Sequence, residues 1–171
     1  MAFLTRAELI ESFAPNSEQD ISAVDHQNYV ESVMVYGDLT MPQDLAFDVT
    51  PTHRKFEFTQ NQFAYGMTPD TINWEFDNVE EGHYLMLLDV DMTLAGTNVT
   101  YNITMFVDGA PAGAGYNYNT RDDSLRLSRS FVIPAVVTGN AGTVDVRINS
   151  SSAQTIAIYG VTWVMLRMGS D

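Results

Sequence analysis

The sequence predicts a mainly β protein, an antiparallel β-sandwich that carries a short helical base at its N-terminus. From Arg54 onward, apolar and polar residues alternate with a period of two, as they do in half-buried strands. Seven or more such segments follow one another, and turns rich in Gly, Asn, Ser and Pro separate them. This order favours a sandwich of antiparallel sheets over a fold of alternating strands and helices.

The N-terminal region has helical spacing instead. Thr5 and Glu8 form a capping box, which predicts a short helix over residues 6–13. The stretch SAVDHQNYVESVMVYGDL, residues 22–39, predicts a second helix of about four turns. Its apolar residues lie on two sides, with Tyr29, Val30, Val33 and Met34 on one side and Ile21, Val24 and Val35 on the other. A helix that is apolar on two sides is expected to dock between its own domain and a second surface, through Val30, Val33 and Met34.

The stretch LTMPQDLAFDVTPTH, residues 39–53, contains Pro42 and Pro51 and no sustained period, so it is interpreted as an extended connector. The chain is therefore divided into a helical base with its connector, residues 1–50, and a β-sandwich, residues 51–171. The base is expected to attach the sandwich to another structure.

Two predicted strands are apolar on both faces. In the strand that follows Gly82, Tyr84, Met86, Leu88, Val90, Met92 and Leu94 share one face, and Leu85 and Leu87 lie on the other. In the last strand, strict alternation puts Ile156, Ile158, Val164 and Leu166 on one side and Ala157, Tyr159, Val161, Trp163 and Met165 on the other. Self-association would cover the second face, and we expect Tyr159, Val161, Trp163 and Met165 to form the contact between subunits. The alternative is that the N-terminal residues cover this face within one chain.

Composition excludes several classes of function. The 171 residues carry a formal net charge of −14, and such an acidic chain would repel a nucleic-acid backbone. Without cysteine there are no disulfides and no thiolate metal sites. The start of the sequence does not resemble a secretory signal, and no apolar run is long enough to insert in a membrane.

Motifs for catalysis are not found in the sequence, and no cofactor or metal site is predicted. His26, His53 and His83 lie on separate segments with no zinc-ligand spacing, and His26 is interpreted as part of the apolar helix face. Asp89 and Asp91 share one strand face and could join Asp108 around a calcium ion, although an exposed strand face explains them equally well.

A candidate ligand loop lies at residues 109–122. Tyr116, Tyr118 and Arg121 combine aromatic rings with a charge, which is the chemistry of sugar or protein-surface recognition. The other interpretation is that these tyrosines pack on the rim of the sandwich. This loop is the basis of an alternative function, a receptor- or carbohydrate-binding module at a tail tip that contacts a host surface glycan.

The stretch EEGHYLMLLDVDMTLAGTNVTYNITMFVDGAP and the closing TIAIYGVTWVMLRM resemble the tumour-necrosis-factor-like jelly roll of many phage structural proteins. Gly82-His83-Tyr84 opens the long strand, and Asp108-Gly109 forms the short turn of that pattern. The resemblance covers about residues 17–36 and 55–168 and implies a non-enzymatic homotrimer with no catalytic residues. It predicts a virion protein, assembled in the host cytoplasm, that acts as a head decoration or head fibre and docks on partners such as the major capsid protein.

Overall fold

Thirteen strands form the regular structure of the residues that the computed structural model describes, which are 35–42, 45–112, 115–121, 124–139 and 142–169. The strands are β1 Tyr36–Met41, β2 Leu45–Val49, β3 Arg54–Lys55, β4 Ala64–Tyr65, β5 Thr68–Asp70, β6 Glu75–Val79, β7 Gly82–Ala95, β8 Thr100–Val107, β9 Ala110–Pro111, β10 Tyr116–Asn119, β11 Ser124–Val137, β12 Gly142–Ser150 and β13 Gln154–Gly169. Within these ranges, no helix is long and apolar enough to cross a membrane.

The strands form two antiparallel sheets. Sheet A has the order β11-β7-β13-β1-β4, and β2 pairs with the same edge of β13 as β1 does. Sheet B has the order β10-β8-β12-β6-β5, with β9 beside β8 and β3 beside β12. The prediction of a mainly β antiparallel sandwich is confirmed.

The core lies between the sheets, where the alternation of the sequence places it. The inward face of β7 is the one expected, and Tyr84, Met86, Leu88, Val90, Met92 and Leu94 are all buried. Across the core, β8 contributes Tyr101, Ile103 and Met105. The expected turn after β8 is also present, because Asp108 and Gly109 have φ angles of 49° and 75°, the left-handed pair that a tight hairpin needs.

Strands β1 and β2 correct the predictions for residues 36–49. The predicted helix over 22–39 cannot extend past Val35, because β1 starts at Tyr36 and pairs with β13 from Tyr36↔Leu166 to Met41↔Val161. The predicted connector contains β2, which pairs with the start of β13. Both strands therefore belong to the sandwich, and a boundary at residue 50 would cut through sheet A. Residues 1–34, with the first predicted helix and most of the second, lie outside the described residues.

A β-bulge in β13 corrects the faces predicted for the last strand. The register against β7 shifts between Ile158 and Gly160. One extra residue in a strand moves every later side chain to the opposite face. Ile156 and Ile158 point into the core before the bulge, and Val161, Trp163 and Met165 point into it afterwards, each no more than 1% exposed. Val164 and Leu166 therefore lie on the outer face of sheet A.

Candidate functional site

Of the four residues predicted for the contact between subunits, three point into the core and only Tyr159 lies on the outer face. Val161, Trp163 and Met165 are 0% exposed, and the Trp163 ring packs edge-on against Phe76 with centroids 4.7 Å apart. These three side chains are buried in the core of a single chain, so the prediction that they form a contact between subunits is wrong. Tyr159, the fourth, lies half-buried on the outer face. Val30, Val33 and Met34 lie outside the described residues, so their docking role stays a prediction.

The outer face of sheet A has an apolar end. The register across the sheet brings together side chains that are far apart in the sequence, because Pro134 faces Leu85, Leu85 faces Leu166, and Leu166 faces Tyr36. We define the apolar end as Tyr36, Leu85, Leu87, Val132, Pro134, Val136, Val164 and Leu166. Val132 and Val136 are 49% and 46% exposed. Their strand β11 is also an edge, since no strand in the described ranges pairs with its other side.

The same face has a polar depression further along, over the bulge. Its volume is about 520 Å³, and its floor is at Gly160. Strands β7, β11 and β13 form it together. We define the depression as Asp89 and Asp91 of β7, Ser128, Arg129 and Ser130 of β11, and Tyr159, Gly160 and Thr162 of β13.

One wall of the depression is held in place by Arg126. Its Nη2 donates to Asp91 Oδ2 over 2.8 Å, and its guanidinium carbon lies 3.7 Å from the centre of the Tyr159 ring. The ion pair and the cation–π contact therefore connect all three strands. The other carboxylate oxygen, Asp91 Oδ1, has no hydrogen-bond donor among the described residues.

The tyrosines of the candidate ligand loop pack against the sandwich. Both lie on β10, and their rings contact Phe131, with centroids 4.5 Å away for Tyr116 and 5.8 Å for Tyr118. The Tyr116 hydroxyl also donates to the Val132 carbonyl over 2.9 Å. Burial raises the pKa of Tyr118. Arg121 is exposed, and the structure gives the two rings a packing role of the kind that the second interpretation describes.

The carboxylates considered for calcium do not come together. Asp89 and Asp91 lie on sheet A, whereas Asp108 lies in the β8–β9 turn of sheet B and accepts from the Thr143 N–H over 2.8 Å. His53 contacts the Phe106 ring with centroids 5.0 Å apart, and His83 is exposed on β7. His26 lies outside the described residues.

Solved structures with a similar fold were found for this chain. The chain superposes on the Eiger TNF from S. frugiperda with a TM-score of 0.51 at 6% identity, over 81% of this chain and 95% of that one. The chain is similar in fold to this TNF-type jelly roll. The VP2 subviral particle of infectious bursal disease virus gives a TM-score of 0.46 at 8% identity, and a mutant VP2 in T=1 particles gives 0.44 at 10%. Each covers 77% of this chain, which spans about a third of the VP2 chains. No protein-family model and no curated protein sequence matches the chain.

The jelly roll also gathers carboxylates that the sequence reasoning did not single out. Oxygens of Asp70, Glu75 and Asp77 lie within 4.8 Å of one another on sheet B. Burial, then the charges of Glu75 and Asp70, raise the pKa of Asp77. Lys55 forms an ion pair with Glu75, and its Nζ also lies 3.2 Å from Asp145 Oδ2. These acids are neighbours because β5 and β6 pair as a hairpin, which the sequence pattern did not predict.

Sequence reasoning also missed the polar depression. In the sequence, Asp89 and Asp91 share a predicted strand face, but Ser128, Ser130 and Gly160 carry no motif. Only strand pairing makes them neighbours, since Ser130 faces Asp89 and Gly160 faces Asp91.

Proposed function

We propose that this chain is a non-enzymatic structural protein of a bacteriophage particle, a homotrimeric head decoration, head fibre or similar appendage. The N-terminal residues would dock on the particle, for instance on the major capsid protein, and the jelly roll would project from it. The observation that carries the proposal is the apolar end of sheet A, which lies at the unpaired edge of β11.

Exposed apolar side chains on a strand edge favour association. Strand β11 is an edge of fourteen residues whose outer side pairs with no strand of the described ranges, and along it the Val132 carbonyl accepts from the Tyr116 hydroxyl. Soluble proteins ordinarily cover or charge such an edge. On β11, Val132 and Val136 point outward beside half-buried Leu87 and Val164. A closed symmetric oligomer would bury this surface in every subunit. The TNF-like resemblance favours three subunits.

The point at which residues 1–34 join the sandwich supports their proposed part in docking. The described chain begins at Val35, and the next residue, Tyr36, already belongs to the apolar end. Residues 1–34 therefore join the sandwich beside the surface proposed to associate. The apolar positions Val30, Val33 and Met34 would extend that surface towards the capsid. Because residues 36–41 and 45–49 are strands of sheet A, a shortened chain that tests the base should begin at Val35 and not near Pro51.

Light scattering of the full chain tests the association. We expect a mass three times the 19.0 kDa of one chain, and the variant Val132→Lys should lower it to that of a monomer. Ser124→Lys is the matched control, because it adds the same charge to the same strand and the same outward side, away from the apolar end. A wild-type monomer, or a trimer that Val132→Lys leaves intact, would refute the proposed surface.

A second experiment tests the place in the virion. Particles purified from cells infected with the phage that encodes this chain should contain it in a fixed ratio to the major capsid protein. Removing residues 1–34 should abolish that incorporation and leave the jelly roll folded. Finding the full chain only in the unassembled fraction would exclude a role as a particle component.

A further inference from the structure

We propose that the polar depression on the outer face of sheet A binds a neutral saccharide. The site adjoins the apolar end but shares no residue with it, and the proposal depends neither on trimer assembly nor on attachment to a virion. It also differs in place from the loop at residues 109–122, whose tyrosines are occupied by packing against Phe131.

The shape of the site comes from Gly160. It lies at the bulge in the middle of sheet A, and a Cβ built on it would meet no other atom within 4 Å. Any other residue at this position would place its side chain in open space above the sheet. The missing side chain therefore creates the floor, and the resulting volume of about 520 Å³ lies within the range of ligand pockets.

The hydrogen-bonding groups of the depression are available to a ligand. On the outer face of sheet B, polar side chains satisfy one another, as when Asn102 donates to Asn117 over 2.8 Å or Arg147 donates twice to Asp145. In the depression, several polar side chains are instead left without a partner in the described part of the chain. Four side chains have no hydrogen bond or ion pair with any described residue, and these are Asp89, Ser128, Ser130 and Thr162.

These groups suit a ligand rich in hydroxyls. Serine and threonine hydroxyls both donate and accept, and the Asp89 carboxylate accepts, so each can meet a sugar hydroxyl. The apolar residues that line the depression are Val90, which is only 3% exposed, and Tyr159, and they leave little to bind an apolar peptide segment. Arg126 lies over one face of the Tyr159 ring and holds it at the wall of the depression.

Charge favours a neutral sugar over an acidic one. Asp91 is paired with Arg126, whereas Asp89 is exposed and has no partner among the described residues. Arg129 lines the depression, but it is also close enough to Tyr118 for its charge to influence the pKa of that residue. The open side of the depression therefore presents a carboxylate, which would repel a sialylated glycan, as would the net charge of −14 on the whole chain.

The test uses the full chain and named probes. Saturation-transfer NMR with the methyl glycosides of glucose, galactose, mannose and N-acetylglucosamine should detect binding of at least one at about millimolar affinity, and a glycan array should favour neutral over sialylated structures. Gly160→Val should fill the floor and weaken binding by about tenfold or more, since a Cβ fits there without a clash. Thermal unfolding of each variant checks that the fold is kept.

A matched pair of variants covers the case in which Gly160→Val does not fold. Ser130→Val removes a hydroxyl from the depression, and Ser124→Val makes the same change on the same side of β11 outside it. Weaker binding only for Ser130→Val supports the site. Four results would overturn the proposal: no binding of any probe, equal effects of the two serine variants, a preference for sialylated glycans, or binding that a chelator abolishes.

Discussion

Replacing Trp163 distinguishes a core residue from an interface residue. The side chain is 0% exposed and its ring lies 4.7 Å from Phe76 and 5.7 Å from Phe58, measured between centroids. Truncating a buried tryptophan costs about 3–5 kcal/mol of unfolding free energy, and the aromatic pairs place Trp163→Ala near the upper end. Because small domains have a total of about 5–15 kcal/mol, this variant should be barely stable.

Trp163→Phe should be much milder. It keeps an aromatic ring beside Phe76, and it removes an indole N–H that has no acceptor among the described residues. A buried donor without a partner costs about 1–3 kcal/mol, so its removal offsets part of the cost of the smaller ring. Val164→Ala, one residue along the strand but on the outer face and half-buried, should cost at most about 1 kcal/mol.

Urea unfolding and light scattering of the same samples provide the assay. The expected order of stability is wild type, then Val164→Ala and Trp163→Phe, with Trp163→Ala far below, and any folded Trp163→Phe should keep the mass of the wild type. If Trp163→Ala keeps its unfolding midpoint but changes mass, Trp163 belongs to a contact between subunits after all and the assignment to the core fails.

Two further predictions concern buried polar groups. Burial raises the pKa of the Tyr84 hydroxyl to about 12. The folded chain holds this proton more tightly than the unfolded chain, so the corresponding stability is complete below about pH 10, is lost as the pH rises towards 12, and amounts to at most about 3 kcal/mol. Tyr84→Phe should flatten this part of a pH–stability curve, whereas an unchanged slope would assign it to other groups. Asp38, also buried, accepts the backbone N–H groups of Gln62 and Phe63 over 2.9 and 2.8 Å. Asp38→Ala should therefore lose about 2–4 kcal/mol in urea unfolding and the isosteric Asp38→Asn clearly less, so equal losses would show that these bonds contribute little.

Period-two alternation was sufficient to predict the long strands. In β7 and β8 it identified both the elements and their inward faces, because a sheet that is buried on one side needs apolar residues at every second position. It also identified the Asp108-Gly109 turn, where the chain needs two residues with positive φ. These features depend on neighbours in the sequence, so the sequence by itself determined them.

The remaining features of the fold depend on how the strands pair. Residues 36–49 carry few strand signals, and they form β1 and β2 because the long β13 offers them an edge to pair with. The bulge beside Gly160 changes the phase of the alternation in the last strand, and strict alternation therefore put Val161, Trp163 and Met165 on the wrong face, as it did Val164 and Leu166. Asp89, Ser130 and Gly160 likewise meet only through the register of three strands. The sequence determined that the long segments after residue 82 are extended, while the tertiary structure decided which residues share a surface, because register is a property of paired strands and not of one strand alone.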